Sequence, residues 1–488
     1  MSDVMGLLGI LVSLALLIWL AFRGWSVLLL APAAALLAAA FSAEPLLASW
    51  TQVFMDSTAR FLAQFFPLFL LGALFGKLMD DSGAVTAIAE FMTKRLGTRR
   101  AVLAVVLAGA LVTYGGVSLF VAFFVLVPMA QALFQAADIP RRLIPGAIIL
   151  GSSTFTMTAL PGTPSIQNAI PMPFFNTTPF AAPGLGVVAA AIMLAFGLWW
   201  LSFRERRARL AGEGFGGMPA ASIDVAASDE IVRERATTAA PFDPAEIHHG
   251  RHGDTPPPIH VAALPLVVVI AVNLLMSLVV LPRIDASFLA EPRWGATSLS
   301  GVAGVWSVVT ALAAAVVVLM LVGRKYLPSP RASMDAGANA SVLPAISVAS
   351  LVGFGAVIAG LPAFAAVRDW IFTVEGGPLV SLALATNVLA ALTGSASGGL
   401  TIALDALGAH YMSLAAELGI DPGLMHRVAV IGSGTLDILP HNGAVVTLLA
   451  LCGSTHWESY FDIVMTGIVT AALALVAVIF LGSTFGSF

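Results

Sequence analysis

The sequence predicts an all-α polytopic membrane protein made of two inverted repeats, each with three plain spans, a re-entrant hairpin, a broken helix and a final span. Three observations predict it. Of the 488 residues, 59% are hydrophobic and 10% charged, with a mean hydropathy of +0.95; soluble domains run near ~45–50% apolar and ~25% charged. The apolar runs are long, and a spanning helix needs roughly 20 apolar residues, whereas an outer-membrane barrel would read as short alternating segments. The order of the segments then repeats once along the chain.

The opening run, MSDVMGLLGILVSLALLIWLAFRGW, has neither the basic start nor the small-residue cleavage site of a signal peptide. It reads as the first span, over 5–22. Further spans fall near 25–42, 61–79, 101–135 (two legs), 143–170 (interrupted) and 184–203. Residues 82–96, SGAVTAIAEFMTKRL, read as an amphipathic helix at the inner interface. Residues 204–258 are polar, charged and rich in Pro and Gly, the composition of a linker. Its HHGRH (His248, His249, His252) reads as solvated linker rather than as a metal site. Spans resume near 259–282, 300–323, 340–362, 378–416 (two legs), 425–451 (interrupted) and 461–483. The division is therefore 1–203, an N-terminal repeat; 204–258, a cytoplasmic linker; and 259–488, a C-terminal repeat.

The spacing supports the repeat. Gly115 in TYGGVS lies 36 residues before Gly151 in GSST, and Gly398 in GSASGG lies 34 before Gly432 in GSGT. Each interrupted span opens on Gly-Ser and then meets Leu-Pro, in TALPGTPSIQN and in DILPHNG. If each two-legged segment enters and leaves on one side and the N-terminus lies outside, 18 of the 23 Lys and Arg fall inside. Arg60, Arg283, Arg293, Arg368 and Arg427 fall outside. This is the bias of the positive-inside rule, for a multi-pass protein of a bacterial-type inner membrane. The two hairpins then enter from opposite faces.

Composition excludes other classes. A net charge of −4 offers no basic face for nucleic acid, and the one cysteine, Cys452, allows neither an internal disulfide nor a cysteine metal cluster. No cofactor and no metal are expected.

The chemistry lies in the breaks. Backbone polar groups in hydrocarbon must be satisfied internally, so broken helices and hairpin tips persist only when buried in protein or lining a cavity. Four such breaks predict one cavity near mid-membrane, as in secondary transporters. The first tip supplies Thr113, Tyr114, Gly115, Gly116 and Ser118. The first broken span supplies Ser152, Ser153, Thr154, Thr158, Gly162, Thr163, Gln167 and Asn168. The second tip supplies Thr393, Gly394, Ser395, Ser397, Gly398 and Gly399, and the second broken span Ser433, Gly434, Thr435 and Asn442. These segments contain no Lys or Arg, so an anion would be held by N–H groups at half-helix N-termini, hydroxyls and amides. Asp437, His441 and Asp405 are the ionisable candidates for proton coupling, since acids in a membrane interior are costly. The structural alternative has Asp437 capping the half-helix after its break. Sodium is the competing coupling ion, because Ser, Thr, Asn and unwound carbonyls suit it without an acid.

TYGGVSLF with GSSTFTMTALPGTPSIQNAIP, and TGSASGGLTIAL with GSGTLDILPHNGAVV, resemble the gluconate:proton symporter (GntP) family of the ion transporter superfamily. The resemblance covers both halves and leaves out the linker. It implies uptake of a small hydroxylated monocarboxylate together with protons, an inverted-repeat fold, a homodimer, and a substrate site at the two tips and two broken spans. Sugar-acid members carry a bulkier first tip with an acid; YGGVS has none and looks more like the branch for short hydroxy acids such as 3-hydroxybutyrate. Two other classes compete. An intramembrane serine hydrolase would use Ser397 or Ser433 with His441, but Ser395 and Ile431 stand where its signature needs glycine. A channel would show rings of like charge or repeated filter loops, and the sequence has neither.

Overall fold

The computed structural model describes residues 2–22, 25–117, 119–215, 255–366, 376–440 and 442–488. Among them the regular structure is helical, and six helices are long and apolar enough to cross a membrane, seven if a bent pair counts as one. Arg23, Ser118, Arg368, His441 and the linker histidines His248, His249 and His252 lie outside the described residues.

Helices α1 (Ser2–Phe22) and α2 (Val27–Phe41) pack together. Helix α3 runs 36 residues, Leu46–Asp81, so the span expected over 61–79 is only part of it. Its far end buries Lys77, whose Nζ lies 3.0 Å from Asp81 Oδ1. Helix α4 (Ala84–Leu96) is amphipathic, and the helical segment that follows it turns away by 102°. Its apolar residues Val85, Ile88 and Ala89 are buried against neighbouring helices, so the helix expected over 82–96 is docked on the protein.

Helices α5 (Ala101–Tyr114) and α6 (Leu119–Ala136) are the two legs of the first hairpin. Gly116, at φ +96°, makes the tip, where a side chain would be strained. Helix α7 (Ile144–Ser152) starts the first broken span, which continues as short helical turns at Phe155–Thr158, Ile166–Ala169 and Pro171–Phe175. Helix α8 (Pro183–Leu210) ends the first half. In the second half, α9 (Ile259–Arg283), α10 (Leu299–Val322) and α11 (Pro330–Gly360) are the plain spans. Helices α12 (Gly377–Thr393) and α13 (Ala396–Leu418) form the second hairpin, and α14 (Pro422–Thr435) and α15 (Gly443–Cys452) the second broken span. Helix α16 (His456–Phe485) is last.

The halves interleave. Helix α3 packs on α10 and α11, and α8 packs on α16. Serine 333 of α11 donates to Asp81 Oδ2 of α3 at 2.6 Å. At one end of α8 and α16, Asp462 accepts from Trp200 Nε1 (2.9 Å), Arg204 Nε (2.8 Å) and Arg142 Nη1 (3.1 Å). Arg142 also pairs with Glu213 at 2.7 Å, which holds the Glu213 carboxyl below its ordinary value. At the other end of α8, the N–H of Gly184 donates to the main-chain oxygen of Phe488 at 2.8 Å.

Candidate functional site

Helix breaks free backbone groups that something must satisfy, and each break here is held by a side chain from a neighbouring segment. The Tyr114 hydroxyl donates to the carbonyl of Pro161 at 2.7 Å, tying the first tip to the first broken span. Asn168 Nδ2 donates to the carbonyls of Thr163 (3.0 Å) and Pro179 (3.1 Å), and Asn273 Nδ2 to that of Gly162 (2.9 Å). In the second half, Asn442 Nδ2 donates to the carbonyl of Gly394 (2.9 Å) and to Asp437 Oδ1 (3.0 Å). Its Oδ1 accepts from Ala444 N–H at 2.7 Å and so caps α15. Asp437 Oδ1 accepts from Ala396 N–H at 2.7 Å. The acid does cap a half-helix, but that helix is α13 of the hairpin rather than α15. This break is also braced by His456 Nε2 and Tyr460 Oη, which donate to the carbonyls of Pro440 (2.9 Å) and Ile438 (3.2 Å).

These four segments meet at one cavity of about 190 Å³. The first tip contributes Thr113, Gly116 and Val117; the first broken span Ser153, Met157, Thr158, Pro164, Ser165, Ile166 and Gln167. The second tip contributes Gly394, Ser395, Ala396 and Ser397; the second broken span Gly434, Asp437, Asn442 and Ala444. Helix α3 closes one side with Leu68, Phe69, Gly72 and Ala73, and α11 another with Ala340, Ser341 and Pro344. Asp437 is the one carboxylate or basic side chain among the described lining residues. Gln167 Oε1 is buried with no hydrogen-bond partner among the described residues.

Of the residues expected at a site, Thr113, Gly116, Ser153, Thr158, Gln167, Gly394, Ser395, Ser397, Gly434, Asn442 and Asp437 line this cavity. Others sit behind it. Ser152, Thr154, Ser433 and Thr435 turn their hydroxyls back to carbonyls of the preceding turn, at 2.6–2.9 Å. Thr393 does the same toward Leu389 at 2.8 Å. Thr163, Asn168 and Gly162 belong to the bracing of the break. A Cβ on Gly115 would run into Leu266, one on Gly398 would come 2.5 Å from Leu351, and one on Gly399 would run into the Ala390 backbone. These three glycines serve helix packing, and filling Gly398 would press on α11 rather than fill the tip. Asp405 is exposed on α13, away from the cavity.

Arg427 departs furthest from expectation. Expected near the outer end of a span, its side chain is fully buried within the protein. Asp421 caps α14 through Gly423 N–H at 2.6 Å, so Arg427 already lies inside the helix. Its Nη2 donates to the carbonyl of Ala181 (2.7 Å), and Nη1 to the carbonyl of Thr158 (3.3 Å) and to Asn168 Oδ1 (3.4 Å). Sequence reading also missed the α3 and α11 walls, which carry no polar signal beyond Ser341.

The comparisons agree with this architecture. The family described as GntP family permease matches residues 2–177. An uncharacterized transporter of Bacillus subtilis (strain 168), YxjC, is 41% identical over 485 residues, covering 98% of this chain and 99% of its own. The high-affinity gluconate transporter of Escherichia coli (strain K12) is 34% identical over 104 residues, 20% of this chain and 23% of that one. Two solved transporters share the fold. Neisseria gonorrhoeae MtrF, described among antimetabolite efflux pumps, has a TM-score of 0.52 at 15% identity, covering 88% of this chain and 83% of its own. The Alcanivorax borkumensis YdaH transporter has a TM-score of 0.53 at 16% identity, covering 88% of each. With helices long and apolar enough to span, a cavity between their breaks and a transporter relative matched along its whole length, the chain belongs to the GntP family of permeases and is a multi-pass membrane transporter.

Proposed function

We propose that this permease takes up a small hydroxylated monocarboxylate, of the class of 3-hydroxybutyrate or gluconate, together with protons. One observation carries the reading: both hairpin tips and both helix breaks converge on one cavity that contains a single acid among its described lining residues. Helices α13 and α15 begin at that cavity, and helix N-termini favour an anion. The unpartnered Gln167 carbonyl offers an acceptor to a substrate hydroxyl. At about 190 Å³ the space is below the ~300 Å³ where pockets for drug-sized ligands begin. Local identity with a gluconate transporter supports the same substrate class.

Asp437 is the coupling group in this reading. Ionised, it occupies the N-terminus of α13 through Ala396 N–H. A proton weakens it as an acceptor, and the substrate carboxylate takes the freed N–H, so proton and anion bind together. The two halves are inverted repeats that move by alternating access, on the scaffold of a homodimer. The end bearing Arg142, Arg204 and the linker is cytoplasmic, which puts both termini outside.

The test is uptake of labelled 3-hydroxybutyrate and gluconate into proteoliposomes, with a pH gradient in one arm and a sodium gradient in the other. Accumulation driven by pH alone is expected. Accumulation driven by sodium alone overturns the proton coupling, and no uptake of either acid overturns the substrate class.

A further inference from the structure

We propose that Arg427 is the specificity-determining charge of this transporter: it selects an anionic over a neutral ligand from behind the cavity wall, without touching the ligand. The inference rests on the carboxylate reading above.

A guanidinium stays protonated inside proteins, and a charge in a membrane interior is costly enough to be a functional candidate by default. Arg427 is 0% exposed. Its three bonded acceptors, the carbonyls of Thr158 and Ala181 and the amide oxygen of Asn168, are all neutral. Its Nε is buried without a partner, and no acid pairs with it among the described residues. The neighbouring His426 supplies no negative charge either. Its ring is held between Thr177 Oγ1 at 2.6 Å and Asn168 Oδ1 at 3.1 Å. The positive charge is therefore solvated by dipoles, with no acid in direct contact among the described residues.

Its position relative to the cavity gives that charge a use. Gly434, which lines the cavity, is seven residues further along α14 and so on the same face, about 10 Å away at 1.5 Å per residue. Thr158 lies between them: its carbonyl accepts from Arg427, and the residue itself lines the cavity. Taking that spacing as the order of the distance from the charge to a bound carboxylate, about 10 Å at an effective dielectric constant of about 20, a unit charge favours the anion on the order of tenfold. Arginine suits the place because its planar fork reaches acceptors on two segments at once.

A purely structural Arg427 would weaken all ligands alike when replaced; a selecting charge changes the ratio of acid to neutral affinity. The experiment measures competition by 3-hydroxybutyrate and by its uncharged amide, 3-hydroxybutyramide, against labelled 3-hydroxybutyrate, at fixed pH, in the full-length protein. Arg427→Gln is expected to lower the acid-to-amide ratio on the order of tenfold, and Arg427→Lys to restore most of it. Arg427→Met removes the charge while keeping an unbranched side chain of similar length, so it should lower the ratio too. It carries the test if Arg427→Gln does not fold. An unchanged ratio in the folded variants overturns the role of Arg427 alone. Failure of the wild type to bind 3-hydroxybutyrate, and gluconate offered in its place, overturns the substrate class, and this role with it.

Discussion

Asp437 is fixed at two points, by Ala396 N–H at 2.7 Å and Asn442 Nδ2 at 3.0 Å, and both partners line the cavity. Asparagine at this position keeps the shape and the amide-oxygen acceptor for Ala396, but cannot take up a proton. Asp437→Asn is therefore expected to abolish accumulation driven by a pH gradient while sparing exchange of labelled for unlabelled substrate across the membrane. Accumulation at the wild-type level would remove Asp437 from the coupling. This residue was legible in the sequence because an acid, a proline and an amide stand out in an apolar run. Arg427 was not, because it follows the polar Asp421-Pro422 and reads as the flank of a span. Only the cap at Asp421 reveals that the helix has already begun.

The hairpins depend on close backbone approach. A Cβ on Gly399 would run into the backbone of Leu389 and Ala390 on the facing leg, and one on Gly151 into that of Val106. Backbone cannot move aside as a flexible side chain can, so Gly399→Ala should cost about 1–3 kcal/mol or more by overpacking. Gly360→Ala is the control, since a Cβ there meets nothing within 4 Å, and should stay within about 0.5 kcal/mol. Thermal unfolding of the two purified variants in one detergent checks the contrast; equal midpoints would mean that the legs separate freely. The breaks themselves were readable, from Gly-Gly, Gly-Ser and Leu-Pro in apolar surroundings. Which hydroxyls face the cavity was not. Ser153 lines it while Ser152 bonds back to Ile148, and the choice is set by helix phase rather than by residue type.

Across the whole molecule, the order of helices, hairpins and breaks was legible because hydrocarbon tolerates so few alternatives for an unpaired backbone, whereas the spans expected over 5–22 and 25–42 are shorter apolar helices, Val4–Leu17 and Val27–Phe41. The interleaving of the halves was not, since hydropathy records depth in a membrane and not which helix is a neighbour. Arg427 behind the cavity wall and Asp437 within it have an electrical consequence. With Asp437 ionised, the empty centre carries one positive and one negative charge. With one monoanion bound and Asp437 protonated, it again carries one of each. Moving a net charge through the membrane field is worth about 2.3 kcal/mol per 100 mV, and neither form has one to move. Uptake under a fixed pH gradient should therefore run at the same initial rate whether valinomycin and potassium clamp the vesicles at zero or at about 100 mV, inside negative. A rate that rises with the potential would mean that more than one proton accompanies each anion. A flat response would make this a carrier that draws on acidity and ignores voltage.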